Sequence, residues 1–233
     1  MKHFPFFLLL LFLIACRDNK KETQIKADTA VKSAPLISKH FADDFDTLNR
    51  DSLLVYPRMS SNASDDPTYP FSGKPLKDFD IRNIDTSLFE HPVKKKMSFF
   101  ATNKFPLGKD HTGLLLRTPS IYWESAIYLL LWDNKTNHVV DQLQVAEWWG
   151  DAGDLVFVQS WLLDLKKDNP KILVVKNITR PKDLKNPSVT LTTDSVYRYT
   201  IKDNQFKLET KAETDRDYLR RKYNIILRKI TTE

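Results

Sequence analysis

The chain has 233 residues, a formal net charge of +6 and 41% hydrophobic residues, enough for one sizeable core or two small ones. Lysines and arginines are scattered, with no basic cluster interleaved with aromatics, so the charge suits an anionic membrane surface or polyanionic glycan and not a nucleic acid. A single cysteine, Cys16, excludes an internal disulfide framework.

The first predicted element is the apolar run from Phe6 to Ala15, with Lys2 ahead of it and Arg17-Asp18-Asn19-Lys20-Lys21-Glu22 behind. Ten helical residues at ~1.5 Å each cover about 15 Å, roughly half of a ~30 Å hydrocarbon core. The run is too short to span a bilayer. It has the plan of a secretory signal: a positive start, a short apolar stretch and a small residue at the break. An ordinary cleaved signal or a buried first strand also accommodates such a run, but neither explains the lone cysteine that closes it. The break itself, Leu13-Ile14-Ala15-Cys16, resembles the lipobox of bacterial lipoproteins. That resemblance implies that residues 1–15 are a removed signal peptide, and that Cys16 carries diacylglycerol and further acyl chains such as palmitate. Two or three chains suffice for stable anchoring, at about 0.8 kcal/mol per buried CH₂. Lipidation also removes the only thiol, and with it any thiol catalysis or cysteine–metal site.

Residues 16–37 are polar and free of aromatics, a composition that cannot bury enough surface to order itself, so they are expected to form a flexible tether. Residues 38–95 read as a loosely ordered lead-in, with proline-rich punctuation between short apolar pieces such as FADDFDTL and SLLVYP. Asp28-Thr29-Ala30, Asp46-Thr47-Leu48, Asp51-Ser52-Leu53 and Asp194-Ser195-Val196 resemble the O-glycosylation sites of exported Bacteroidota proteins. The chain as a whole resembles envelope lipoproteins of Bacteroidota to which no activity is assigned. Surface-displayed members carry an acidic run after the acylated cysteine. Here Arg17, Lys20 and Lys21 interrupt it, which implies an outer-membrane anchor facing the periplasm.

Strand signals dominate a β-rich domain at 96–233. Four hairpins are predicted in chain order: a pair around Gly108, a pair joined by Asp133–Asn137, a pair around Lys166–Pro170, and a pair turning at Asp203-Asn204. Eight short strands with hairpin-length links predict a mainly β fold of antiparallel sheets, propeller-like or sandwich-like. Leu219, Tyr223, Ile226 and Ile230 follow helical spacing with Thr214 as N-cap, which predicts a short C-terminal helix; a last strand over YNIILRKI is the alternative. Residues 160–208, SWLLDLKKDNPKILVVKN followed by SVYRYTIKDNQFKL, resemble one blade of an FG-GAP β-propeller. Blades of that family hold calcium on Asp- and Gly-rich turns, whereas Leu165–Pro170 presents two lysines and one carboxylate, so no metal or other cofactor is expected.

All five tryptophans fall between Trp123 and Trp161. Trp132 and Trp161 end apolar runs and read as core. Trp148 and Trp149, adjacent in a strand, should point to opposite faces and can offer an indole as a platform for a sugar ring. Glu147, Asp151 and Asp154 flank them beside Gly150 and Gly153. Three carboxylates in such a stretch can do acid–base work or hold a cation; equally, they can bond the amides of a glycine turn. The five histidines are dispersed without zinc-ligand spacing, and neither a Gly-x-Ser-x-Gly elbow nor a phosphate-cradling loop occurs. The sequence therefore favours a non-catalytic lipoprotein whose β domain binds or supports a glycan or an envelope protein. A glycan hydrolase using carboxylates near Glu147–Asp154 is the alternative.

Overall fold

The structure, a computed structural model, describes residues 41–59, 68–77, 98–120, 125–151, 153–183 and 186–213. The apolar run, Cys16, the tether and the predicted C-terminal helix lie outside the described residues. The chain is mainly β, as the hairpin patterning predicts. A single turn of 3-10 helix, Phe41–Asp44, precedes the lead-in strands β1 (Asp46–Thr47), β2 (Leu53–Val55) and β3 (Lys74–Pro75). The four predicted hairpins follow as β4 (Phe100–Leu107) with β5 (His111–Thr118), β6 (Ala126–Asp133) with β7 (His138–Asp151), β8 (Asp154–Leu163) with β9 (Lys171–Asp183), and β10 (Asn186–Lys202) with β11 (Gln205–Glu213).

The turns form where turn chemistry places them. Asn137, Asp203 and Asn204 take φ of 56°, 52° and 57°, and Asp164, opening the β8–β9 connection, takes 57°. This left-handed region is one that Asn and Asp enter more readily than other side chains. Two such residues in succession make the two-residue turn between β10 and β11.

Strands β4 to β11 are sequential antiparallel neighbours, hydrogen-bonded into one sheet. Two expectations are corrected. The strands are not all short, since β7, β9 and β10 run to 14, 13 and 17 residues. The sheet is also mixed, because β1 joins the edge of β4 in parallel while β3 joins β4 and β2 joins β8 antiparallel. The stretch likened to a propeller blade is an antiparallel meander of four strands, but β8 continues through β7 into the same sheet, so no separate blade exists.

Strand β7 makes the fold sandwich-like. From His138 to Ala146 it pairs with β6, and from Glu147 to Asp151 it pairs with β8. Two bulges within the β6-paired half, at Val140 and Val145, bend it, the second just before the change of partner. Buried serines fasten the corner: Ser160 Oγ donates to the Val145 carbonyl at 2.5 Å, and Ser125 Oγ donates to the Trp148 carbonyl at 2.7 Å. The bend brings the two halves of the sheet face to face. Leu115, Leu129 and Leu131 from β5 and β6 share the principal core with Val158, Leu162 and Ile172 from β8 and β9. Each fully buried side chain of this size contributes about 1.5–3 kcal/mol.

Strands β5 and β6 are apolar without alternation (GLLL, AIYLLLW) because both of their faces are buried. The far face, with Leu114, Leu116, Leu130 and Trp132, is covered by Phe41, Phe45, Leu76 and Phe99, and Phe41 stacks on Trp132 at 6.0 Å. Tyr56, Tyr69 and Phe71 pack edge to face at 5.6–5.8 Å, and the Tyr69 hydroxyl donates to the Tyr56 carbonyl at 2.9 Å. Burial pushes that hydroxyl's pKa well above the ordinary tyrosine range. The described parts of the lead-in thus supply strands and core to the domain.

The β10–β11 turn reaches across to the other half through side chains. Asn204 Oδ1 lies 3.0 Å from His111 Nε2, Asn204 Nδ2 donates to Asp133 at 3.4 Å, and the Phe206 N–H donates to Asp141 at 2.7 Å. Asp133 also accepts the N–H groups of Lys135 and Thr136 at 2.7 and 3.2 Å, which holds its carboxyl below the usual carboxylate range.

Two predictions follow from this packing. A Cβ on Gly113 would stand 2.6 Å from the Phe105 ring, its directly paired neighbour, so Gly113→Ala is expected to cost about 1–3 kcal/mol in urea unfolding. Adding Phe105→Leu should recover part of that loss, as non-additivity in a double-mutant cycle. The lowered Asp133 pKa stabilises the fold above the unfolded value of ~3.9 and ceases to do so as pH falls through the folded value. Asp133→Asn does not titrate, so its stability deficit against the wild-type chain should be full near neutrality and shrink below about pH 4.

Candidate functional site

Two regions carry candidate functional side chains. The first is the stretch singled out in the sequence, Glu147–Asp154, at the β7–β8 hairpin. Strand alternation separates the two indoles as expected. Trp149 packs against the principal core, while Trp148 pairs with Phe157 on the opposite face, and both are half-buried. Glu147 is 1% exposed and accepts the Ser120 hydroxyl at 2.8 Å. Asp151 and Asp154 are cross-strand partners at the hairpin tip, and Arg180 Nε lies 3.6 Å from Asp154. Gly153 closes the tip at φ +92°, where a Cβ would meet the Pro181 ring at 2.8 Å.

The structure therefore brings Asp151 to Asp154 and leaves Glu147 apart. Four strand residues at ~3.3 Å place Glu147 about 13 Å from Asp151, beyond the ~5–10 Å between the carboxyls of glycosidases. Among the described residues, no three His, Cys, Asp or Glu side chains gather as a metal site. Trp132 and Trp161 are buried, and Trp123 lies outside the described residues. At the blade-like turn, Asp164 is ion-paired to Lys167 at 2.7 Å and Lys171 at 3.3 Å, and these bonds lower its pKa. Of the tripeptides likened to glycosylation sites, Thr47 and Ser52 are exposed, whereas Ser195 is paired on both sides within β10.

The second region is a cavity that the sequence did not disclose. Pairing of β7 to β8 begins only at Glu147, so among the described residues no strand pairs with the second edge of β7 from His138 to Ala146. Against that open edge, under the inner face of β8–β10, lies a cavity of about 350 Å³. Leu143, Val158 and Val174 give it an apolar floor, and Tyr128, Tyr197 and Tyr199 form its walls. Gln142, Gln144 and Lys176 supply its polar groups. The size lies within the ~300–1,000 Å³ typical of small-molecule sites. A hollow of about 440 Å³ beside Arg198 and Glu209 is larger, but there the charges already pair with each other at 2.7 Å.

The electrostatics of the cavity favour acceptors. The Gln142 Nε2 atom is buried and has no hydrogen-bond partner among the described residues. Gln144 Nε2 reaches the Tyr128 hydroxyl only at 3.5 Å. Lys176 sits opposite Val158 and Ser195, with Tyr197 as its diagonal neighbour on β10. Lys211, paired with Tyr197, brings a second ammonium 5.6 Å from that ring. The signals that mark this site are Gln142-Leu143-Gln144 and Tyr197-Arg198-Tyr199, polar or aromatic residues at period two on strands fifty-odd residues apart in the chain.

No known protein family matches the chain, and no curated protein or solved structure is significantly similar to it. No helix among the described residues is long and apolar enough to cross a membrane.

The burial of Glu147 generates a stability prediction. Glu147→Leu leaves the buried Ser120 hydroxyl without its acceptor and is expected to cost about 1–3 kcal/mol in thermal or urea unfolding. Ser120→Ala in the same chain should return part of that loss, because both partners are then apolar.

Proposed function

We propose that the chain is a lipid-anchored cell-envelope lipoprotein, attached through acylated Cys16 at the periplasmic face of the outer membrane, whose β domain binds a small ligand. The observation that carries the anchor is the lone cysteine placed directly after a ten-residue apolar run, in the order Leu13-Ile14-Ala15-Cys16. A polar tether then sets the domain off the bilayer, and the modest positive charge suits an anionic surface. The cavity along the open edge of β7 supports the binding role. It offers aromatic walls, amide and ammonium donors and an apolar floor, the mix of groups found in recognition sites. Among the described residues its lining holds neither histidine nor a carboxylate to serve as general base. Membrane, through the lipid, and a glycan or other envelope component, through the cavity, are the partners of this reading.

The test is metabolic labelling with palmitate in the cell of origin. The wild-type chain should take the label and fractionate with membranes, whereas Cys16→Ser should take none and appear in the soluble fraction. Absence of label on the wild-type chain, or an intact mass that begins anywhere but at an acylated Cys16, overturns the reading.

A further inference from the structure

We infer that the cavity along β7 takes a saccharide bearing a carboxylate; the inference deepens the binding role proposed above and rests on it. Three features converge. The first is charge. Lys176 lines the cavity without a carboxylate in ion-pair reach among the described residues, and Lys211 stands over the Tyr197 ring beside it. An anionic group entering there meets the Lys176 ammonium and, among the described residues, no acid in the lining; the Lys211 ammonium flanks the site over the Tyr197 ring. The second is an unspent donor. Gln142 Nε2 is buried without a partner among the described residues, and an acceptor on a bound ligand would satisfy it. The third is the pairing of rings with hydroxyls and amides. Tyr197 and Tyr199 project from one face of β10, across from the amides of Gln142 and Gln144.

These features also separate a sugar acid from a fatty or aromatic acid. An acyl chain or arene would satisfy Leu143, Val158 and Val174, but it would leave the buried Gln142 amide, which has no partner among the described residues, facing hydrocarbon. A pyranose ring presents C–H faces to the tyrosines and hydroxyls to the amides. The carboxylate then falls to Lys176.

Calorimetric titration of the full-length lipoprotein in non-ionic detergent tests this with three probes: digalacturonate, the neutral galactose disaccharide and octanoate. Digalacturonate should bind, and the neutral disaccharide at least tenfold more weakly. Octanoate should not compete. Lys176→Gln should abolish the preference for the acid while leaving the neutral sugar unchanged. Gln142→Leu separates a site from a structural role. Removing an unpartnered buried amide should leave unfolding stability equal or higher, yet weaken digalacturonate at least tenfold, about 1.4 kcal/mol. Silence of digalacturonate at millimolar concentration, equal affinity for acid and neutral sugars, binding of octanoate in their place, or variants that bind like the wild-type chain would each overturn the ligand class. None of these results touches palmitate labelling, so the anchor and the ligand fail separately.

Discussion

A β-strand has two edges and cannot serve two diverging sheets along the same residues. The architecture depends on how β7 meets that limit. Its first nine residues give one edge to β6 and its last five give the other edge to β8, with a bulge at Val145 just before the change of partner. The exchange of edges turns a flat meander into two facing halves and creates the principal core. It also leaves the second edge of β7 open where the halves separate, and β2 takes the stretch of β8 that β7 vacates. The candidate site is thus a by-product of the same bend that stabilises the fold. Filling it with a paired strand would require a different corner.

The lead-in segments complete what the hairpins leave unfinished. Strands β5 and β6 have two apolar faces, and only one can meet the other half of the sheet. Phe41, Phe45 and Leu76 supply the missing cover, while β1, β2 and β3 extend edges in both halves. Among the described residues the packed domain therefore already includes Phe41. Bonds from the Asn204 side chain and the Phe206 backbone N–H to Asp133, His111 and Asp141 hold the far hairpin in place without a backbone ladder.

The hairpins were legible because their signals are local. Asp133–Asn137 and Asp203-Asn204 announce turns, and SVYRYTI alternates at period two as a strand with unlike faces must. The opposed indoles of Trp148 and Trp149 follow from the same rule. The edge exchange of β7 was not legible, since HVVDQLQVAEWW gives no local mark of where one partner ends and another begins. Strands of two or three residues such as β1 and β3 exist only because β4 offers them an edge, so their information is non-local. The cavity was hidden for the same reason. Gln142, Lys176 and Tyr197 come from three strands and share no motif, and the carboxylate-rich stretch that drew notice is divided by its own strand geometry.

The chain contains only five glycines, and four left-handed turn positions are filled by Asn137, Asp164, Asp203 and Asn204. Each of these has a Cβ, so the denatured polypeptide samples fewer backbone shapes there than glycine would allow. That narrowed disorder of the chain before it folds works against the strain that a left-handed Cβ carries in the native turn. Substitution by glycine at any of these four positions therefore acts on both states at once, relaxing the turn and loosening the unfolded chain.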